Sequence, residues 1–488
     1  MLRIPVAARA LAGLLIILLP GCVSTTPTQD TASVSDALRE RTGHDLAPPP
    51  EVSESSGGAE APEASETLLP DGVNLDDGLS KDEAVAIALW ENPAFLATLA
   101  DLGFAHADLT EAGLLSNPLL ALYFPWGPKQ LEATLKWPLE AFWLRPKRVS
   151  IAHLNVERVA ASLIENGLSL ASEVKIAYAD YVLARKRSRF STEVMSLQAE
   201  LAQLADARYR AGDISELEAD LVHATALEAE QAAGRAGHQE ITARDGLAAL
   251  LGMDPEGLEL APEVPVAAAS PLPTGISASL GVSVPGADSR ASGPLPDLDL
   301  LLADALAARP DVRAAELAIE AAGQRAGLAR IEYIQISGLI DANQRGLEGA
   351  EAGPYMDIVI PLFNRNQGGV SRAEAELRRA AQQYAAVQNE ISLGVRVAYE
   401  EYIGAYEALA IYHDQILPRL ENTVRHTERA ENLGDVSYLD LVRARLAILQ
   451  VFQREAEVAA DLQRAKARLE KAVGKRIADY SNVTGAEQ

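Results

Sequence analysis

Gly212-Asp213-Ile214-Ser215 interrupts a run of helix-forming residues, and Gly434-Asp435-Val436-Ser437 interrupts another 222 positions later. Each reads as one helix ending and the next beginning. Glycine supplies the left-handed backbone that closes a helix. Ser215 and Ser437 then cap the following helix, and Glu218 and Asp440 stand at its third position, where a carboxylate reaches back to the cap amide. Val436 and Leu441 have the spacing of a hydrophobic staple. The motif is a tight helix reversal, written twice.

The duplication extends outward from it. The segment VKIAYADY at Val174–Tyr181 is echoed by VRVAYEEY at Val395–Tyr402, and VSIA at Val149 by VSRA at Val370. ALWENP ending at Pro93 pairs with ALAARP ending at Pro310, and LLG ending at Gly252 with AVG ending at Gly474. A unit of roughly 170–190 residues is therefore repeated in tandem, far beyond the 20–50-residue period of solenoids.

Two helical stretches, Val149–Arg210 and Val370–Asn432, lead into the reversals, and at 1.5 Å per residue each is ~95 Å long. Pro418 lies inside the second and should bend it without ending it, because the helical pattern continues on both sides. The helices after the reversals, Ser215–Leu251 and Ser437–Val473, are shorter. Shorter still are those at Ala94–Leu115 and Asp311–Tyr333. One of each, stacked end to end, matches a long helix.

Between the short and long helices the period changes to two. In QLEATLKW, Leu131, Ala133, Leu135 and Trp137 alternate with Glu132, Thr134 and Lys136. With Pro118–Phe124 this forms a hairpin, and Gln335–Asn343 with Tyr355–Leu362 repeats it. Leu131, Leu135, Met356 and Ile358 fall on apolar faces. Four strands are too few for a closed barrel, which needs about eight and, in bacteria, an even number. Two chains would supply eight strands and three would supply twelve. Tyr123, Phe124, Trp126, Trp137 and Trp143 crowd the first hairpin, as a membrane-interface girdle requires.

The predicted organisation is a signal peptide at 1–21, a lipidated disordered tether at 22–79, and a first repeat at 80–261 with hairpin 118–138 and turn 211–215. A Pro/Gly/Ser-rich linker at 262–296 follows, then a second repeat at 297–475 with hairpin 335–362 and turn 433–437, and a tail at 476–488. Arg3 and Arg9 precede the apolar run Leu11–Leu19, and Cys22 comes directly after it. This resembles a bacterial lipobox, whose thiol takes a lipid. A plain secretory signal with an incidental thiol is the alternative. Cys22 is the one cysteine, so no intramolecular disulfide is possible. Loss of Arg3 and Arg9 with the signal takes the net charge from −26 to −28, which argues against nucleic acid as a partner. The seven histidines have no metal-ligand spacing, and no glycine-rich phosphate loop is present, so neither enzyme nor cofactor is expected.

Together with ENP, RPD and especially IPLFNRNQGG at Ile360–Gly369, these features resemble the TolC-type outer-membrane efflux family, in its heavy-metal-efflux branch. The resemblance implies a mainly α fold with a small β portion. Long antiparallel helical hairpins would form a periplasmic α-barrel, and four strands per chain would join a shared trimeric transmembrane β-barrel. It also implies a homotrimer in the outer membrane, partnered by a periplasmic adaptor and an inner-membrane pump of RND type. A pore-free periplasmic coiled-coil or adaptor lipoprotein is the alternative. On the family pattern, Gly212, Asp213, Ser215, Gly434, Asp435 and Ser437 form adaptor-docking tips. Asp440 matches an acidic ring at the periplasmic entrance, with Glu218 its first-repeat equivalent, and Arg443 stands where a second acid is expected. The alternative for both acids is a purely structural cap.

Overall fold

The computed structural model describes residues 26–46 apart from 28, the isolated positions 70 and 73, residues 78–260 apart from 125 and 127–130, and residues 297–477 apart from 346–348. The signal peptide, Cys22, most of the tether, the linker and nearly all of the tail lie outside the described residues.

The stretch read as a disordered tether contains an ordered helix, α1 (Thr31–Thr42). Asp30 and Ser33 cap it reciprocally: Ser33 N donates to Asp30 Oδ1 at 2.9 Å and Asp30 N to Ser33 Oγ at 3.0 Å. Leu38 is fully buried against Gly167, where a Cβ would approach the leucine to 2.7 Å. Composition suggested disorder because α1 owes its order to this docking, which local pattern does not reveal.

α2 (Lys81–Glu91) begins at the Ser80 capping box and buries Ala84 through Leu89. α3 (Pro93–Gly113) follows, then strands β1 (Leu119–Tyr123) and β2 (Glu132–Pro138). α4 (Ala141–Ala211) is 71 residues long and starts eight positions before the expected Val149. Pro146 lies close to the helix start, so it removes one intrahelical bond and the helix runs through it. α5 (Glu216–Leu251) completes the first repeat.

The second repeat supplies α6 (Leu298–Ala308), α7 (Pro310–Ala329), β3 (Ile336–Arg345) and β4 (Gly349–Ile358). β4 starts and ends earlier than the expected Tyr355–Leu362, because its pairing with β3 extends back to Gly349 opposite Arg345. α8 (Gln367–Ile411) continues through a π-turn at Tyr412–Ile416 into α9 (Leu417–Asn432). The π-turn lies directly before Pro418, whose ring lacks an N–H and crowds the carbonyl four residues back. α10 (Tyr438–Val473) ends the repeat. Among the described residues no single helix is long and apolar enough to cross a membrane.

The residue before each landmark proline does the same work. Asn92 Nδ2 donates to Leu250 O at the end of α5, at 2.9 Å. Arg309 Nη1 donates to Ala472 O at the end of α10, at 3.0 Å, while its Nη2 pairs with Glu165 at 2.8 Å. ENP and RPD thus satisfy the carbonyls that a helix end leaves open.

Two compact units can be distinguished. One comprises Met1–Val34, Thr98–Ile164 and Pro310–Asn389 and holds the sheet, whose strand order is β1-β2-β3-β4, antiparallel throughout. The register places Leu120, Leu135, Ile340 and Pro354 in one row. Neighbouring rows on that face carry Leu122, Ala133 and Ala342, or Trp137, Gly338 and Met356. The opposite face carries Glu132, Thr134, Lys136, Ser337, Asp341 and Asp357. There Thr134 donates to Asp341 at 3.0 Å, and Lys136 lies 3.5 Å from Asp357. In the same unit Asn366 adopts φ 59° and donates from Nδ2 to Ala329 O at 2.9 Å, closing α7. A Cβ at Gly369 would meet the Asn366 side chain at 2.3 Å, which explains part of the NQGG segment.

The other unit comprises Ser35–Ala97, Glu165–Arg309 and Glu390–Gln488. Its core joins Leu183 and Phe190 of α4, Leu417 and Val424 of α9, and Ile448, Leu449 and Phe452 of α10. Phe190 and Phe452 stack with centroids 6.1 Å apart and planes 10° from parallel. Phe452→Ala should therefore cost ~3–5 kcal/mol, read as a lower thermal midpoint in detergent; an unchanged midpoint would contradict this packing.

Candidate functional site

The two reversals share one backbone solution. Gly212 N donates to Tyr209 O at 2.9 Å and Asp213 N to Arg208 O at 2.9 Å. In the second reversal, Gly434 N donates to Glu431 O and Asp435 N to Ala430 O, both at 2.8 Å. This is the paired closure that puts glycine in the left-handed region, and φ is 83° at Gly212 and 81° at Gly434. A Cβ at either position would meet nothing within 4 Å, so the requirement for glycine is conformational rather than steric. Asp213 and Asp435 are exposed beyond the turn.

Both capping boxes form. Ser215 N and Oγ donate to Glu218 Oε2 at 2.8 and 3.0 Å, and Glu218 N returns a bond to Ser215 Oγ at 3.3 Å. Ser437 N and Oγ donate to Asp440 Oδ2 at 3.3 and 2.7 Å, and Asp440 N reciprocates at 3.3 Å. Bonds from the Ser215 amide, then its hydroxyl, hold the Glu218 carboxyl below the ordinary carboxylate range. For Asp440 the Ser437 hydroxyl contributes most, then the amide, and the Arg443 charge adds to them. Arg443 Nη1 stands 3.9 Å from Asp440 Oδ1, both side chains being more than half exposed. Each acid is engaged in its own cap. No contact joins Glu218 to Asp440 among the described residues.

One feature escaped the sequence reading. Asp206 accepts from His223 at 2.8 Å across the first helix pair, and Glu428 accepts from Arg445 at 3.2 Å across the second. Both members obey the 222-residue offset, so the duplication itself held the signal. Tyr438, the first residue of α10, donates to Glu200 of α4, and this bond raises the phenol's pKa. Among the described residues no group of three or more His, Cys, Asp or Glu is placed to hold a metal ion.

Residues 301–475, nearly the whole second repeat, match the model of the outer membrane efflux protein family. The likeness to that family is carried by this segment. The chain is also 21% identical over 406 residues to the cobalt-zinc-cadmium resistance protein CzcC of Cupriavidus metallidurans, covering 81% of this chain and 90% of that one. The outer membrane protein VceC of Vibrio cholerae superposes with a TM-score of 0.61 at 17% identity, covering 81% of this chain and 96% of that one. The Campylobacter jejuni CmeC outer membrane channel gives 0.62 at 14% identity, covering 83% and 89%. These likenesses extend the shared fold across both repeats of the chain.

The caps make a direct prediction. Ser437→Ala should cost on the order of 0.5–2 kcal/mol, read as about 2- to 30-fold faster hydrogen exchange at the first turn of α10. The carboxyl hydrogen bonds exist only in the folded chain and depress the folded-state pKa. Their stabilisation is therefore present at neutral pH and lost as pH falls below the ordinary values of 4.5 for Glu218 and 3.8 for Asp440. The difference between wild type and Ser437→Ala should narrow over that window. A constant difference would separate the carboxylate from the cap.

Proposed function

We propose that this protein is the outer-membrane exit duct of a tripartite efflux system, carrying substrate outward from an inner-membrane pump through a periplasmic adaptor. The observation that carries this reading is the sheet. One face is largely apolar along all four strands, the other gathers the charged residues of β2, β3 and β4 beside the apolar Leu119, Ala121 and Tyr123 of β1, and among the described residues β1 and β4 have no partner on their outer edges. A bilayer does not tolerate open strand edges. Closure through three copies gives a twelve-stranded barrel with Leu120, Leu135, Ile340 and Met356 toward lipid and Glu132, Lys136, Asp341 and Asp357 toward the lumen. Exposed Tyr123, Phe124 and Trp126 then sit at one rim. The pore-free lipoprotein reading leaves this apolar face without a purpose.

The remaining assignments are proposed with it: a homotrimer, an RND-type pump, a periplasmic α-barrel built from the long helical hairpins, and tips at Gly212–Ser215 and Gly434–Ser437 that meet the adaptor. The likeness to CzcC favours a metal-resistance setting. Cys22 carries the lipid anchor, so Cys22→Ser should abolish palmitate labelling while leaving the trimer assembled; retained label would refute the anchor.

The barrel is tested by conductance. Purified trimer in a planar bilayer should conduct ions. Leu135→Arg should impair insertion, at a cost of roughly 2–4 kcal/mol near the bilayer midplane, whereas Thr134→Arg on the lumen face should insert normally. Equal insertion of both variants would overturn the face assignment.

The entrance is proposed as a gate in which Glu218 and Asp440 from three chains converge and Arg443 neutralises them. Converging carboxylates favour cations. Arg443→Ala should raise open-state conductance, and Asp440→Asn should lower cation preference. Wild-type recordings from both variants would leave Glu218 and Asp440 as caps alone.

A further inference from the structure

A chain of net charge −26 gathers cations at one point. Arg41 from the end of α1, Lys175 from α4, and Lys471, Lys475 and Arg476 from the end of α10 line one small pocket. Thr42, Ser172 and a single carboxylate, Glu470, complete its polar wall. Basic residues in the last turn of a helix ordinarily answer its exposed carbonyls. That accounts for Lys471 and for the terminal nitrogens of Arg41 in the last turn of α1, but not for the Arg41 Nε or for the arrival of Lys175 from α4.

The one acid is already engaged. Glu470 Oε2 pairs with Lys175 Nζ at 2.8 Å, both side chains being largely buried, and its Oε1 accepts from Ile477 N at 3.3 Å. Lys475 reaches outward to Asp304 at 3.4 Å. Arg41 donates its two terminal nitrogens to backbone carbonyls, Nη1 to Ala37 O at 2.9 Å and Nη2 to Ala308 O at 3.4 Å. Its Nε is buried with no acceptor among the described residues. A buried guanidinium N–H without an acceptor is costly. Lys471 pairs with no carboxylate among the described residues. Burial pushes the His44 pKa down, with Lys175 and Arg476 adding to it against Asp82 and Asp45. Burial, then Lys466 and Lys175, push Lys81 down, against Asp82 and Glu470.

We infer that this pocket is an oxyanion site, in which one oxygen of a phosphate group accepts from Arg41 Nε and is neutralised by Lys471. The cavity of about 20 Å³ holds roughly one water-sized group. A single oxygen therefore enters while the rest of the phosphate stays at the mouth. Arg41 presents one N–H and no bidentate fork, which fits the same single-oxygen contact. The site is independent of the channel reading and stands whether or not the chain conducts.

The test uses the full chain in neutral detergent, titrated with inorganic phosphate at constant ionic strength and followed by thermal midpoint. Phosphate should raise the midpoint in the wild type. Lys471→Gln should weaken the apparent affinity at least about ten-fold while leaving the phosphate-free midpoint unchanged. Arg41→Lys keeps the charge but removes Nε, and should weaken it as well. A midpoint shift dependent on Lys471 in phosphatidylglycerol nanodiscs, absent with free phosphate, would support the site and identify a lipid headgroup as its source. Equal stabilisation by chloride, or an undiminished phosphate response in Lys471→Gln, would overturn the proposal.

Discussion

Seven consecutive residue pairs, from Glu132 opposite Asn343 to Pro138 opposite Ser337, join β2 of the first repeat to β3 of the second. The faces of the sheet depend on this register. With a period of two, a slip of one residue would set Leu135 beside Asp341 and Lys136 beside Ile340, leaving neither face uniformly apolar. Thr134 to Asp341 and Lys136 to Asp357 are polar links that the observed register allows on the charged face. Among the described residues the outer edges of the joined sheet still lack partners.

The duplication also explains how one local chemistry serves two places. Each reversal uses glycine at a φ near 80°, a serine cap and an acid three residues on, so backbone geometry and hydrogen bonding are satisfied without distant contacts. Polar side-chain pairs near each turn keep the same positions, with His223 in one repeat where Arg445 stands in the other. Asn92 and Arg309 likewise differ in chemistry while each supplies a donor to a helix end. What the repeats share is the unsatisfied group to be answered; the residue that answers it varies.

Aligned with that economy, charge is distributed unevenly. Acids dominate the chain, yet cations from three segments converge where α1, α4 and the end of α10 meet. Such convergence carries a desolvation and repulsion cost, partly offset by Glu470 and Asp304. The part not offset is what makes the pocket a candidate for an external anion.

The repeat, the helix reversals with their caps, and the alternation of the β hairpins were all legible in the sequence, because each depends on residues within a few positions of one another. Helix and strand periods are local, as are the demands of a left-handed glycine and a capping serine. Tertiary structure decided the rest. Order in α1 comes from Leu38 seated on Gly167, more than a hundred residues away, and no composition measure registers such a contact. The sheet faces followed from the β2–β3 register, which pairs residues about two hundred positions apart. The engagement of Glu218 and Asp440 in caps, the hydrogen bond of His223 to Asp206 and the Arg41 Nε left without an acceptor among the described residues likewise required side chains to be placed in space. Chain entropy makes distant contacts costly to form, so they are selected by the packing of the whole molecule and leave only faint marks in any one segment.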